Sequence, residues 1–159
     1  MVLRKAGAEL AAGCTRIVKP SPETPLAALV LADLAIKAGF EAAAVFNVLT
    51  TDLDNTPGLS EALCKHPLVS QVTFTGSTRV GQVITSHCAV GIEKLTLELG
   101  GNCPSIVFNN TDIDHAVDSS ISLKWGNAGH ACVTANRIYL QTEIHDQFLG
   151  KFLEKIGKL

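Results

Sequence analysis

Cys132 closes a run of small residues, Gly126-Asn127-Ala128-Gly129-His130-Ala131-Cys132, and small neighbours leave a thiol open to solvent. A nucleophilic cysteine needs access, backbone N–H groups to receive a developing oxyanion, and a lowered pKa. The run offers the first two. His130 stands two residues before the sulfur, but side chains at that separation in a loop seldom face each other, and cysteine–histidine partners are ordinarily distant in sequence. Against the nucleophile stands the plainer reading of any free cysteine, a small buried hydrophobe.

Glu98 is a second candidate. It ends the segment Glu93-Lys94-Leu95-Thr96-Leu97-Glu98-Leu99, where period-two alternation puts Leu95, Leu97 and Leu99 on one face of a strand and Glu98 on the other. Ligands of open α/β sheets gather at the carboxyl ends of strands, where a carboxylate can serve as a general base. A solvated or salt-bridged Glu fits the same position, so position alone leaves both readings open.

The third candidate is Phe74-Thr75-Gly76-Ser77-Thr78-Arg79-Val80-Gly81, between an expected strand and an expected helix. Glycine lets backbone amides approach an anion, Ser77 adds a hydroxyl, and a helix N-terminus favours negative charge. Gln82 occupies the position where a Walker A loop needs Lys, and the glycine pattern is not a full G-x-G-x-x-G. The loop therefore reads equally as an anion site or an ordinary glycine turn. No H-E-x-x-H or G-x-S-x-G is present, which removes the commonest zinc-protease and serine-hydrolase signals.

The elements that must position these residues are legible as runs of β-branched and apolar residues at Thr15 to Val18, Val45 to Leu49, Gln71 to Phe74 and Lys94 to Leu97, separated by helix-like segments. Parallel neighbours need helical crossovers, so the order predicts an α/β fold, a partial Rossmann-like parallel sheet with helices on both faces. A first helix is expected with Thr24 as N-cap, Pro25 at its first position, a buried apolar stretch from Leu26 to Ala38, an Asp33–Lys37 pair and Gly39 past its end. Thr50 to Leu59 reads as a surface connection. After Gly100-Gly101 come a strand at Ser105 to Phe108, a helix from Asp112 to Trp125, a strand at Arg137 to Gln141 and a final helix. This places a domain boundary near Gly101, between residues 1–101 and residues 102–159.

Hydrophobic residues make up 47% of the 159 and charged ones 18%, the balance of a globular chain with a core. The 13 Lys and Arg are scattered at a net charge of −2, so no stripe exists to neutralise a polynucleotide backbone. No apolar run is long enough to cross a bilayer. Five cysteines without a Cys-x-x-Cys suggest neither a disulfide framework nor a zinc site, and a reducing compartment is expected. The cytoplasm or the mitochondrial matrix would provide one. Metal, membrane and nucleic acid are not expected partners.

Taken together, Lys19-Pro20-Ser21-Pro22-Glu23-Thr24-Pro25, Phe74-Thr75-Gly76-Ser77-Thr78, Leu97-Glu98-Leu99-Gly100-Gly101 and Asn127 to Cys132 resemble, in that order, the aldehyde dehydrogenase superfamily. Within it the run Ala131-Cys132-Val133-Thr134-Ala135-Asn136-Arg137 is most similar to succinate-semialdehyde dehydrogenases. The resemblance implies NAD(P)-dependent oxidation of an aldehyde, succinate semialdehyde in particular, with residues 1–101 as a partial dinucleotide-binding domain and 102–159 as the start of the catalytic domain. Cys132 would attack the aldehyde carbon, and Glu98 would activate the water that releases the acid. It also implies a cofactor site drawn from Lys19, Pro20, Ser21 and Pro22 near the adenosine ribose, Gly76 and Ser77 near the pyrophosphate, and Leu99 beside the nicotinamide. Pro22 stands where many NAD-preferring members carry a Glu, so NADP should be tolerated as well as NAD. His130 replaces a family Gln. Thr134 stands where some semialdehyde dehydrogenases carry a second Cys, so no redox partner for Cys132 is expected nearby.

Family members are more than twice this length and are expected to be homo-oligomers. The chain reads as an internal piece, with little or no activity expected of it alone. The competing expectation is a catalytically inactive remnant that binds nucleotide weakly or serves as an interaction module.

Overall fold

The computed structural model describes residues 1–40 and 45–159. It divides into two units, Met1–Glu98 and Leu99–Leu159. The first runs α1 (Val2–Ala11), β1 (Arg16–Val18), α2 (Leu26–Lys37), β2 (Phe46–Val48), α3 (Thr56–Cys64), β3 (Gln71–Thr75), α4 (Thr78–Cys88) and β4 (Lys94–Glu98). The second runs β5 (Cys103–Val107), α5 (Ile113–Trp125), β6 (Ala135–Leu140) and α6 (His145–Ile156). β1 pairs with β2, β3 with β4 and β5 with β6, all parallel and each joined through one crossover helix.

The α/β order is the one expected, but among the described residues the ladders form three separate two-stranded pairs instead of one continuous sheet. Nor are both faces covered, because Ile17, Ile106 and Tyr139 point into solvent. Alternating β-branched residues reveal each strand and the partner its crossover allows. They do not reveal whether neighbouring pairs join laterally.

Two local expectations are corrected. Pro25, not Thr24, is the N-cap of α2, since the Pro25 carbonyl accepts the first helical bonds from Ala28 and Leu29. Thr24 is instead spent on a turn, its amide donating to the Ser21 carbonyl. The helix is not buried either: Ala28 is, while Leu26, Leu29, Val30, Leu34 and Ile36 are exposed. Its apolar residues lie on every side, so composition predicts burial that one packed side cannot deliver. The Asp33–Lys37 pair forms at 2.6 Å, and Gly39 takes the left-handed φ of 97° that ends the helix.

The connection expected to run to Leu59 is shorter, because α3 already starts at Thr56. Asp52 organises the turn: its carboxylate accepts from the Asn55 amide (2.7 Å) and side chain (2.9 Å), and its carbonyl from the Thr56 hydroxyl (2.7 Å).

Each unit holds an apolar cluster beneath its strands. In the first, Cys64, Ile84 and Cys88 pack with Val72, Phe74 and Leu95. In the second, Val107, Val117, Ile144 and Phe148 pack with Ile138, Leu140 and Phe152, whose ring stacks on Phe148 at 5.6 Å. Full burial of each large side chain contributes about 1.5–3 kcal/mol. These clusters fix the strands whose ends carry the candidate residues. Among the described residues no helix is long and apolar enough to cross a membrane.

Candidate active site

Parallel pairing of β3 and β4 sets Thr75 opposite Glu98, so the turn after β3 and the end of β4 share one edge. The Gly76 amide donates to the Glu98 carbonyl at 3.1 Å, tying the glycine loop to the carboxylate-bearing residue. A Cβ on Gly76 would stand 2.5 Å from the tip of the Phe74 ring, which would have to move aside to admit it. Ser77 is the N-cap of α4, its Oγ accepting from the Val80 amide at 3.3 Å. A hydroxyl that accepts in this way still has its proton to donate. The first turn of α4 carries no acidic residue, and its unpaired amides and favourable partial charge suit an anion.

The Glu98 carboxylate lies 3.6 Å from the Arg4 guanidinium, with Arg4 largely exposed and Glu98 about a third exposed. Lys5 donates to the Thr75 hydroxyl at 2.7 Å. Burial, and then the positive charge of Arg16, push the Lys5 ammonium below the ordinary lysine range, partly opposed by Glu98. At its other end α1 is anchored by the Glu9–Arg16 ion pair. Two cations of α1 thus face this edge from 70 or more residues away in sequence, and sequence spacing carries no signal of it.

Lys19, Pro20, Ser21 and Pro22 follow β1, at the end of a different strand pair. Lys19 is half-buried with its ammonium donating to the Pro20 carbonyl at 2.9 Å, and burial lowers its pKa. The Ser21 hydroxyl accepts from the Glu23 amide at 3.4 Å, and no carboxylate stands at Pro22.

Leu99 opens the second unit, and Cys132 lies within it. The backbone before the cysteine is unusual: Asn127 (φ 53°, ψ 38°), Ala128 (φ 54°, ψ 29°) and Gly129 (φ 75°) are left-handed in succession. For Ala this conformation costs roughly 1–2 kcal/mol, and such strain collects at functional sites. Side chains hold the run in place. Asn127 donates to the His130 carbonyl at 3.0 Å, and the buried Thr134 hydroxyl donates to the Gly129 carbonyl at 3.0 Å. The Thr134 amide then closes a turn on the Ala131 carbonyl (3.1 Å), displaying Cys132 in solvent.

Beside this turn, the Cys103 thiol at the start of β5 donates to the Cys132 carbonyl at 3.2 Å. The strand start is itself pinned to β6, Asn136 donating to the Asn102 side chain (3.0 Å) and Arg137 to the Asn102 carbonyl (3.0 Å). Sequence reasoning passed over Cys103, whose only signal was its cysteine identity. A surface depression of this unit, about 460 Å³ and lined by Ile106, Phe108, Thr111 and His115 among others, does not include Cys132. The structure thus joins Gly76 and Ser77 to Glu98, sets Lys19 to Pro22 on another strand end, and puts Leu99 and Cys132 in the second unit.

Residues 1–159 match the model of the aldehyde dehydrogenase family. The chain is 46% identical over 159 residues to succinate-semialdehyde dehydrogenase [NADP(+)] GabD of Escherichia coli (strain K12), covering all of this chain and 32% of that protein. It is 45% identical over 158 residues to mitochondrial succinate-semialdehyde dehydrogenase of Mus musculus, covering 99% of this chain and 30% of that one. Among solved structures it is similar to an E. coli NADP dependent enzyme, with a TM-score of 0.87 and 46% identity over 99% of this chain and 32% of the other. The chain spans about a third of the length of these relatives.

Proposed function

Because the chain belongs to the aldehyde dehydrogenase family over its whole length, we propose that it carries the nucleophile, the general base and part of the dinucleotide site of an NAD(P)-dependent aldehyde dehydrogenase. Its first unit is the dinucleotide-binding part and its second the start of the catalytic domain. The substrate is a small aldehyde, succinate semialdehyde, in keeping with the names of the relatives at 46% and 45% identity.

The observation that carries the reading is the exposed Cys132, displayed on a turn that the left-handed run and Thr134 hold in place. As a thiolate, Cys132 forms a bond to the aldehyde carbon and leaves an oxyanion for nearby backbone amides to receive. A nicotinamide, NADP or NAD, held by the residues named below would supply the hydride acceptor for oxidation of the Cys132 adduct to a thioester. Glu98 then takes a proton from water, whose oxygen attacks the thioester carbon and releases the carboxylic acid with the Cys132 thiol.

Holding the dinucleotide falls to Lys19, Pro20, Ser21 and Pro22 at the ribose end, Gly76 and Ser77 at the phosphates and Leu99 at the nicotinamide. The crowded Gly76, the free Ser77 proton and the acid-free first turn of α4 all suit a pyrophosphate. The absence of a carboxylate at Pro22 suits a 2′-phosphate. The test is reduction of NADP in the presence of succinate semialdehyde. Cys132→Ser should abolish it and Cys14→Ser should leave it intact; equal loss in both variants would defeat the assignment.

A second reading rests on the one-third coverage of the relatives: a module that binds the dinucleotide without turning over aldehyde. Saturable NADP binding with no reduction, and no covalent aldehyde adduct on Cys132, would select it.

A further inference from the structure

We propose that Cys103 and Cys132 form an oxidation site, in which a hydroperoxide converts the exposed thiol of Cys132 into an intramolecular disulfide with Cys103. The inference concerns regulation of the site proposed above, and its enzymatic consequence rests on that reading. The disulfide itself rests on geometry alone.

The Cys103 sulfur lies 3.2 Å from the carbonyl oxygen of Cys132, although the two residues are 29 apart in sequence. That oxygen and the Cys132 sulfur are each two bonds from the same Cα, so Cys103 already touches the residue it would bond. The register agrees: Cys103 pairs with Ala135, the residue at which the Cys132 turn enters β6. Cys132 is exposed on its turn while Cys103 is half-buried beside the anchored Asn102, so the more accessible sulfur meets the oxidant and the less accessible one resolves it.

The chemistry balances with a hydroperoxide as the named oxidant. The Cys132 thiolate attacks the O–O bond; a sulfur–oxygen bond forms, the peroxide is reduced to water or alcohol, and the sulfur becomes a sulfenic acid. The Cys103 thiolate then attacks that sulfur. The S–S bond forms, the S–O bond breaks, and hydroxide leaves with the Cys103 proton as water. Two thiols and one hydroperoxide give one disulfide, one water and one molecule of water or alcohol.

The same chain holds a contrasting pair. Cys64 and Cys88 meet thiol to thiol, but both are buried in the core of the first unit, and burial pushes the Cys64 thiol up to about 12. Proximity without access or thiolate does not make a reactive pair.

The experiment exposes the reduced chain to hydrogen peroxide, blocks remaining thiols with N-ethylmaleimide and maps the non-reduced digest by mass spectrometry. We expect a Cys103–Cys132 linked peptide, no Cys64–Cys88 link, and full recovery of both thiols with dithiothreitol. In Cys103→Ser, Cys132 should pass instead to sulfinic and sulfonic acids that dithiothreitol does not recover. Absence of the linked peptide, with Cys132 over-oxidised equally in both proteins, overturns the proposal. Iodoacetamide labelling of the untreated chain separates the two ideas. If Cys132 labels no faster than Cys14 but the link forms, the disulfide stands and the nucleophile falls. If Cys132 labels first and no link forms, only the disulfide falls.

Discussion

Replacing Ala128 by glycine should make the second unit more stable and its cysteine less well placed. Ala128 sits at φ 54° and ψ 29°, between two further residues of positive φ. The left-handed region costs an L-residue roughly 1–2 kcal/mol, a cost glycine escapes. Glycine also widens the unfolded ensemble, which offsets about 0.4–1 kcal/mol of the gain. From the middle of each range the balance is a stabilisation of about 0.8 kcal/mol. For a chain of this size that raises Tm by roughly 1–4 °C. Trp125, the single tryptophan, precedes the loop directly, so its fluorescence in a urea titration reports on this unit. Gly129→Ala is the mirror experiment: φ is 75° and the new Cβ would lie 3.2 Å from the Lys124 carbonyl oxygen. It should destabilise by at least about 1 kcal/mol. If strain holds the Cys132 turn, Ala128→Gly should also slow alkylation of Cys132 while stability rises. An Ala128→Gly protein less stable than the parent, or a Gly129→Ala protein of equal stability, would refute the reasoning.

Thr134→Val keeps the shape of a buried side chain but removes its hydrogen bond to the Gly129 carbonyl; we expect a loss of about 1–2 kcal/mol in the same titration. Asp112 caps α5 by accepting from the His115 amide, which holds its carboxyl below the ordinary carboxylate value. Its folded pKa is depressed, so its contribution is complete above the unfolded value and disappears as pH falls through the folded one. Acid unfolding below about pH 4 should therefore be blunted in Asp112→Asn, as followed by circular dichroism. With Pro22 in place of a carboxylate, the dissociation constants of NADP and NAD should lie within about tenfold of each other by calorimetry; NADP weaker by more than that would show that the missing charge does not set tolerance.

The strands and helices of this chain were legible because β-branched runs, helix-ending glycines and crossover lengths are local signals. Val18, Val48 and Val107 fall in strands where the pattern puts them, and Gly39 ends α2 with the positive φ its identity suggests. The exposure of Leu29, Leu34 and Ile36 was not legible, because a residue type says what burial would favour and not which atoms arrive to cover it. The Pro25 cap was missed since Thr24 is of a capping residue type, while its backbone belongs to a turn closed by its amide on the Ser21 carbonyl. Of the site, Gly76, Ser77 and Glu98 could be placed on one edge from strand order. The partners Arg4, Lys5 and Cys103 could not, because they arrive from distant sequence through packing. Nothing in Ala128 announces a left-handed backbone; only the flanking Asn127 and Gly129 are of the types that tolerate one.

Trapping the acyl intermediate tests the division of labour between Cys132 and Glu98 most directly. Glu98→Gln, mixed with NADP and succinate semialdehyde and quenched in acid, should retain a succinyl adduct on Cys132, because the thioester forms but the water that releases it is not deprotonated. The parent chain should retain little. An adduct on Cys14 or Cys103, or a Glu98→Gln protein that releases product as fast as the parent, would contradict the mechanism.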